Sequence, residues 1–233
     1  MEEKFTRHIP QLDIRGFEDI SFEHALSVSN EGSAEYDSSV WLFVPNHYTE
    51  YRYILGTRGS SPLICIGINP STARPNRLDP TLKSTERIAL VNGYDSFLMF
   101  NICAQRATSP NDMDPYFNEA LHRENLKAFE YLLELSVRPR IWAAWGTLIT
   151  KRPYLVHCLA EIAAAAEARG SEWFCAGKLS KEGHPHHPLY LRKDEPLRPF
   201  DLPGYLEKFP DNGFPPRTGF LPDPQDRTAK IAL

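Results

Sequence analysis

Four apolar runs alternate with three helical stretches between residues 62 and 177, and this alternation constrains the fold more than any other feature of the chain. The runs are PLICIGI (62–68), SFLMFNI (96–102), RIWAAWG (140–146) and SEWFCAG (171–177). The first is continuously apolar, as a strand buried on both faces is. After it, DPTLKSTERIALVNGY offers Asp79 as a helix N-cap, Pro80 at the first helical position and Gly93 just past the end. YFNEALHRENLKAFEYLLEL (116–135) spaces Leu121, Leu126, Phe129, Leu132 and Leu133 as one helix face does. KRPYLVHCLAEIAAAAEARG opens a helix around Pro153 and stops it at Gly170. Such alternation predicts a parallel sheet covered by helices on both faces, with right-handed crossovers. The predicted fold class is therefore α/β, a three-layer α/β/α sandwich around a central four-stranded parallel sheet.

The flanks read differently. SVWLFVPNHYTEYRYILGTR (39–58) carries two aromatic and β-branched runs around Pro45-Asn46, which predicts an N-terminal β-hairpin. Residues 1–38 are mixed and acidic and predict short helices or loops. From Pro196 the chain is rich in proline and weak in periodicity, which predicts an arm laid over the body. The expected organisation is a single α/β domain over residues 1–195, with its core at 62–191, and a Pro-rich C-terminal extension over 196–233.

Composition narrows the function classes. At 42% hydrophobic, 24% charged and a net charge of -4, the chain reads as a soluble globular protein with modest non-specific affinity for DNA. No apolar run is long enough to span a bilayer, and MEEKFTRHIPQLDIRG lacks the apolar stretch of a signal peptide. The expectation is a cytoplasmic monomer with no membrane partner. Cys65, Cys103, Cys158 and Cys175 form no C-x-x-C pair and read as buried hydrophobes in a reducing compartment. An iron–sulfur cluster is disfavoured, because Cys65 and Cys103 fall within or at the end of core strands. No cofactor and no metal are expected.

In open parallel sheets, ligands bind beyond the carboxyl ends of the strands. That rule selects Asn69-Pro70-Ser71, the segment Asn101 to Arg106, Gly146-Thr147, and KEGHPHHPLYL (181–191). Asparagine is depleted in strands, so an asparagine at two strand ends needs a reason. Taken singly, each of these residues is an ordinary turn or cap residue. Their joint occurrence at one edge of one sheet marks the site. A metal-dependent hydrolase using His184, His186 and His187 ranks last: adjacent histidines in a proline-rich loop rarely converge on one metal, and no H-E-x-x-H or paired-carboxylate motif accompanies them.

These segments resemble the uracil-DNA glycosylase superfamily. GINPS (67–71) is similar to its first motif, G-Q-D-P-Y in the uracil-specific branch and G-I-N-P-G in the mismatch-specific branch that includes thymine-DNA glycosylase. FLMFNICAQRAT (97–108) resembles the L-L-L-N-T segment, IWAAWGTLI (141–149) the L-L-W-G segment and HPHHPLYL (184–191) the H-P-S-P-L motif. All four occur in the family's order. More closely, GINPSTA…DPT…NICAQRAT…AAWG…HPLYL resembles a bacterial family of unknown function.

The resemblance implies a glycosylase-like fold and a monofunctional DNA glycosylase. Its partner would be duplex DNA carrying a flipped-out pyrimidine. Asn69 matches the catalytic position; its carbonyl would orient water beside the sugar, with slower turnover than an Asp would give. His187, followed by Pro188-Leu189, would stabilise the leaving base through its O2, with His184-Pro185 as the other alignment. Asn101 would pair with the pyrimidine edge. Gly67, Ile68 and Pro70 would shape the pocket wall. Ser71 stands where the uracil-specific branch has a bulky Tyr, so the implied substrate is a mismatched or C5-modified pyrimidine rather than plain uracil. Modified bases of that kind occur in phage genomes, which extends the expectation to antiviral defence. Arg74, Arg77, Arg106, Lys178, Lys181 and His186 are candidate DNA contacts, and Leu189 and Tyr190 are candidates for the wedge that fills the vacated stack. A non-catalytic nucleic-acid or nucleotide binder on the same fold is the alternative.

Overall fold

The computed structural model describes residues 7–10 and 21–209. Its strands are β1 (Trp41–Val44), β2 (Ile54–Thr57), β3 (Pro62–Gly67), β4 (Ser96–Asn101), β5 (Arg140–Ala143), β6 (Glu172–Ala176) and β7 (Leu197–Pro199). Its helices are α1 (Phe22–Asn30), α2 (Pro80–Val91), α3 (Glu119–Glu134), α4 (Pro153–Ala168) and α5 (Leu202–Leu206). The local signals act as expected at α2, where the Asp79 side chain accepts from Leu82 N at 2.9 Å and Pro80 fills the first turn. Helix α3 starts three residues later than the periodicity alone suggests, because Asn118 caps it by accepting from Leu121 N at 3.0 Å.

The strands form one mixed sheet in the order β1-β2-β4-β3-β5-β6-β7. Its centre, β4-β3-β5-β6, is parallel throughout. The expected four-stranded sheet is thus the middle of a seven-stranded one. The hairpin β1–β2 is no appendage, since β2 pairs antiparallel with β4, and β7 pairs antiparallel with β6. Both additions cover backbone that would otherwise stand open at the rim of the parallel core. The described part of the proline-rich segment therefore belongs to the sheet and to α5, and residues 210–233 lie outside the described residues.

Side-chain alternation sorts the centre of the sheet into two faces. Ile64, Ile66, Leu98, Phe100, Ile141 and Ala143 join one core cluster, shared with residues of α1, α3, α4 and α5. Leu63, Cys65, Phe97, Met99 and Trp142 point the other way, into a second cluster with Leu82, Ile88 and Ala89 of α2. Helices α1, α3, α4 and α5 thus pack on one face and α2 on the other. All four cysteines are free thiols, and burial pushes their pKa values up, that of Cys103 to about 11. No helix of the described residues is long and apolar enough to cross a membrane.

The C-terminal part locks onto the end of β5. Trp145 is fully buried, and its indole N–H donates to the Tyr205 hydroxyl at 3.1 Å. An indole nitrogen only donates, so the hydroxyl proton is left for His184 Nδ1, 2.8 Å away. Phe209 stacks on the His184 ring at 6.4 Å.

Candidate functional site

The parity of β3 and β4 decides which residues share a face. Residues 63, 65 and 67 of β3 and 97, 99 and 101 of β4 point toward α2. The ladder runs on past the strand ends, with Ile102 N donating to Gly67 O and Cys103 N to Ile68 O. The chain bends at Ile68 and leaves the strand with Asn69, while Asn101 stands on the α2 side as the register partner of Gly67. Ile68 points to the opposite face and packs in the first core cluster, so it does not line the wall it was expected to form.

Asn69 is held by its own amide. Nδ2 donates to Ala107 O at 2.7 Å and to Pro70 O at 3.0 Å. Two carbonyl acceptors require the NH2 end, which leaves Oδ1 without a hydrogen-bond partner among the described residues. Ala107 N returns a bond to Pro70 O at 2.9 Å, and Ser71 Oγ donates to Thr108 Oγ1 at 3.2 Å. The loop after β3 is thereby stitched to the segment after β4.

Two arginines support this loop from within. Arg106 is 0% exposed; its guanidinium donates to the carbonyls of Ser71 and Ala73 and lies 4.3 Å over the Tyr48 ring. Arg52, equally buried, donates to Ala73 O at 3.3 Å. Burial lowers both guanidinium pKa values, Arg106 to about 9 and Arg52 to about 10, and in Arg106 the like charge of Arg52 adds to the effect. Arg106 was expected as a surface phosphate contact; it is instead an internal brace of the loop, because the carbonyls it serves are themselves covered.

Asn101 is 1% exposed, yet neither its Nδ2 nor its Oδ1 makes a hydrogen bond with the described residues. An amide sealed from water without partners costs free energy that most native positions avoid. On the same face, Trp142 Nε1 is also buried and unpaired. Asn125 anchors the backbone beside it, donating to Asn101 O at 2.9 Å. The absence of a side chain at Gly67 makes room for this amide. A Cβ there would stand 2.5 Å from Met99 Cε and 3.0 Å from Asn101 Oδ1. Gly67→Ala is expected to cost about 1–3 kcal/mol through overpacking, read from the denaturant midpoint. A shift near zero would mean that Asn101 is not closely confined.

The three histidines of HPHHP go separate ways. His184 is buried against Tyr205 and Phe209. His186 is half-buried near Gly177. His187 packs on the α2 side, where Gly146, with φ at +65°, leaves only 3.4 Å between a would-be Cβ and His187 Cβ. The Pro188 carbonyl accepts from Ser84 Oγ of α2 at 2.8 Å, which seats the segment. His187 Nδ1 accepts from Leu189 N at 3.4 Å, leaving Nε2 as the protonated end. Burial lowers the His187 pKa, against the attraction of Asp79, so the ring is a neutral donor at neutral pH. Among the described residues, no three His, Cys, Asp or Glu side chains come together as a metal site requires.

The rim is basic and partly apolar. Arg74, Lys178 and Lys181 are exposed, Arg77 is half-buried, and Leu189 and Tyr190 stand out at 45% and 78% exposure. A cavity of about 370 Å³ lies beside the loop, lined by Tyr36, Phe43, Tyr48, Arg74, Asn76 and Arg77 among others. A smaller one, about 30 Å³, sits between the end of β4 and the helices α3 and α4. Neither includes Asn69, Asn101 or His187. The sequence reading passed over Arg52, Trp142, Trp145 and Tyr205. The one available signal was a lone arginine inside the apolar run YRYIL.

Residues 52–189 match the family described as "Protein of unknown function (DUF1643)", more than half of the chain. The chain belongs to that family. The segment matched by this family of unknown function takes in Arg52, Asn69, Asn101, Arg106, Trp142 and His187. Tyr36, Phe43 and Tyr48, and the Tyr205 lock, lie outside it. Comparison with curated proteins and with solved structures returns no match.

Proposed function

We propose that this chain is a monofunctional DNA glycosylase acting in the cytoplasm on a flipped-out, C5-modified or mismatched pyrimidine in duplex DNA. The observation that carries the reading is Asn101: a buried amide whose donor and acceptor are unpaired among the described residues, at the end of a parallel strand, facing α2, on which the His187-Pro188 segment is seated. An amide in that state suits the edge of a pyrimidine, which offers a complementary acceptor and donor. The parallel centre with helices on both faces supports the finer fold as well, a three-layer sandwich of the uracil-DNA glycosylase type.

Each residue then has a physical task. Flipping presents the base to Asn101. Bond cleavage builds negative charge on the base and positive charge on the sugar. His187 Nε2–H, kept neutral by burial, donates to the base O2 as that charge develops. Asn69 Oδ1, left unpaired while the NH2 is tethered, accepts from the attacking water beside the positive sugar. Ser71 leaves room beside C5. The Asn101 amide is sealed from solvent, so a base reaches it only as the surrounding loops part.

The deciding assay incubates the protein, in EDTA, with duplexes carrying uracil, thymine mismatches or bulky C5-modified cytosines, followed by alkali. Strand breaks at modified or mismatched sites are expected. DNA binding with no abasic sites on any substrate would replace the glycosylase with a non-catalytic binder. The pH profile adds a second check. Because the His187 pKa is lowered, its neutral form persists below pH 6.5, the ordinary histidine value, and base release should decline only in more acidic buffer. Protonation there costs the bond from Leu189 N. A rate that rises on acidification would reverse the role given to His187.

A further inference from the structure

We infer that the cavity under the Arg74–Arg77 hairpin is a second binding site, one that takes a phosphorylated nucleoside. It stands apart from the base-excision reading and does not depend on it.

The cavity has the size of a small-molecule site, about 370 Å³ against a typical 300–1,000 Å³. Its walls combine rings and cations. Tyr36 and Phe43 meet edge-on at 5.9 Å, and Tyr48 closes another side. Residues 74–77 form a tight turn in which Arg74 and Arg77 exchange backbone bonds at 3.0 and 3.3 Å. Asn76 sits at φ +59° within it, and its Oδ1 accepts from Trp41 Nε1 at 3.2 Å, which fixes the turn to the sheet. Both arginines are thereby held on one rim.

A further observation points to an anionic occupant. Behind Tyr48 lie the two buried guanidiniums of Arg106 and Arg52, each with unpaired N–H groups, and no carboxylate of the described residues forms an ion pair with either. Glu50 and Asp79 attract them only from a distance. Two like charges buried side by side give the wall a positive field that water does not screen. Glu35, the acidic residue of the lining, suits a sugar hydroxyl or an exocyclic amine rather than the phosphate. The rings supply stacking for a base.

The test is calorimetric titration of the full chain with thymidine 5′-monophosphate, thymidine, inorganic phosphate and a thymidine pentanucleotide. One saturable site for the monophosphate is expected, with thymidine and phosphate each weaker by about tenfold or more, the worth of a charge-assisted bond. Arg74→Glu, at an exposed position, should weaken the monophosphate by about tenfold or more. Tighter binding of the pentanucleotide would assign the site to a DNA strand, and tighter binding of the monophosphate to a free nucleotide; either supports the site. No saturable binding, thymidine bound as tightly as its monophosphate, or unchanged affinity in Arg74→Glu would overturn it. A protein that binds the monophosphate but releases no base keeps this site and loses the glycosylase reading.

Discussion

Asn69→Asp is expected to abolish base release rather than improve it, with a loss of about 10²-fold or more. The expectation runs against the resemblance, since the uracil-specific branch carries Asp at this position and the sequence alone suggests that Asn is the slower residue. The local chemistry decides. Asn69 Nδ2 donates to two carbonyls, Ala107 O and Pro70 O. A carboxylate would set an oxygen against both. It must either take up a proton or swing out of the loop, and in each case the water-orienting oxygen is misplaced. Asn69→Ala removes the same oxygen without the repulsion and should lose a similar factor while keeping most of its stability. Single-turnover base release on the best duplex, alongside denaturant unfolding, separates the two effects. Activity above wild type in the Asp variant would show that the tether to Ala107 does not govern this position.

The second large effect splits two histidines that look interchangeable in HPHHP. His187→Ala should lower base release by about 10²- to 10³-fold, the usual loss of a transition-state donor, with a modest change in stability. His184→Ala should do the reverse. It leaves the Tyr205 hydroxyl without its acceptor in a buried setting, which costs about 1–3 kcal/mol of stability, and the folded fraction should still release base at close to the wild-type rate. Rates corrected for folded fraction, measured beside unfolding curves, distinguish the pair. A large rate loss in the His184 variant at full folding would exchange the roles.

The parallel core was readable because its signals are local. Continuous apolar runs mark doubly covered strands, and the Asp79-Pro80 start of α2 carries its own capping chemistry. The seven-stranded sheet was not readable in the same way. Strand β7 is three residues long and contains Pro199, so nothing in its own sequence marks a strand; it exists because the edge of β6 is there to pair with. The site divides along the same line. Asn69 and Asn101 stand out as asparagines where strands end, but Arg52 and Arg106 read as surface charges until the fold buries them. His184 is told apart from His187 by distant partners, among them Tyr205, 21 residues further along the chain. Partners that far apart leave no local signature.

The way the sheet ends bears on strand pairing between copies of the chain. A rim of parallel strand is a ready template for another copy. Here β6 is covered by a strand too short to propagate pairing, carrying Arg198 and Pro199, with α5 folded back behind it. A chain cut after Glu195 would bare that rim and lose the Tyr205 lock together. Such a cut is expected to promote strand pairing between copies, read as a rise in light scattering over the full chain.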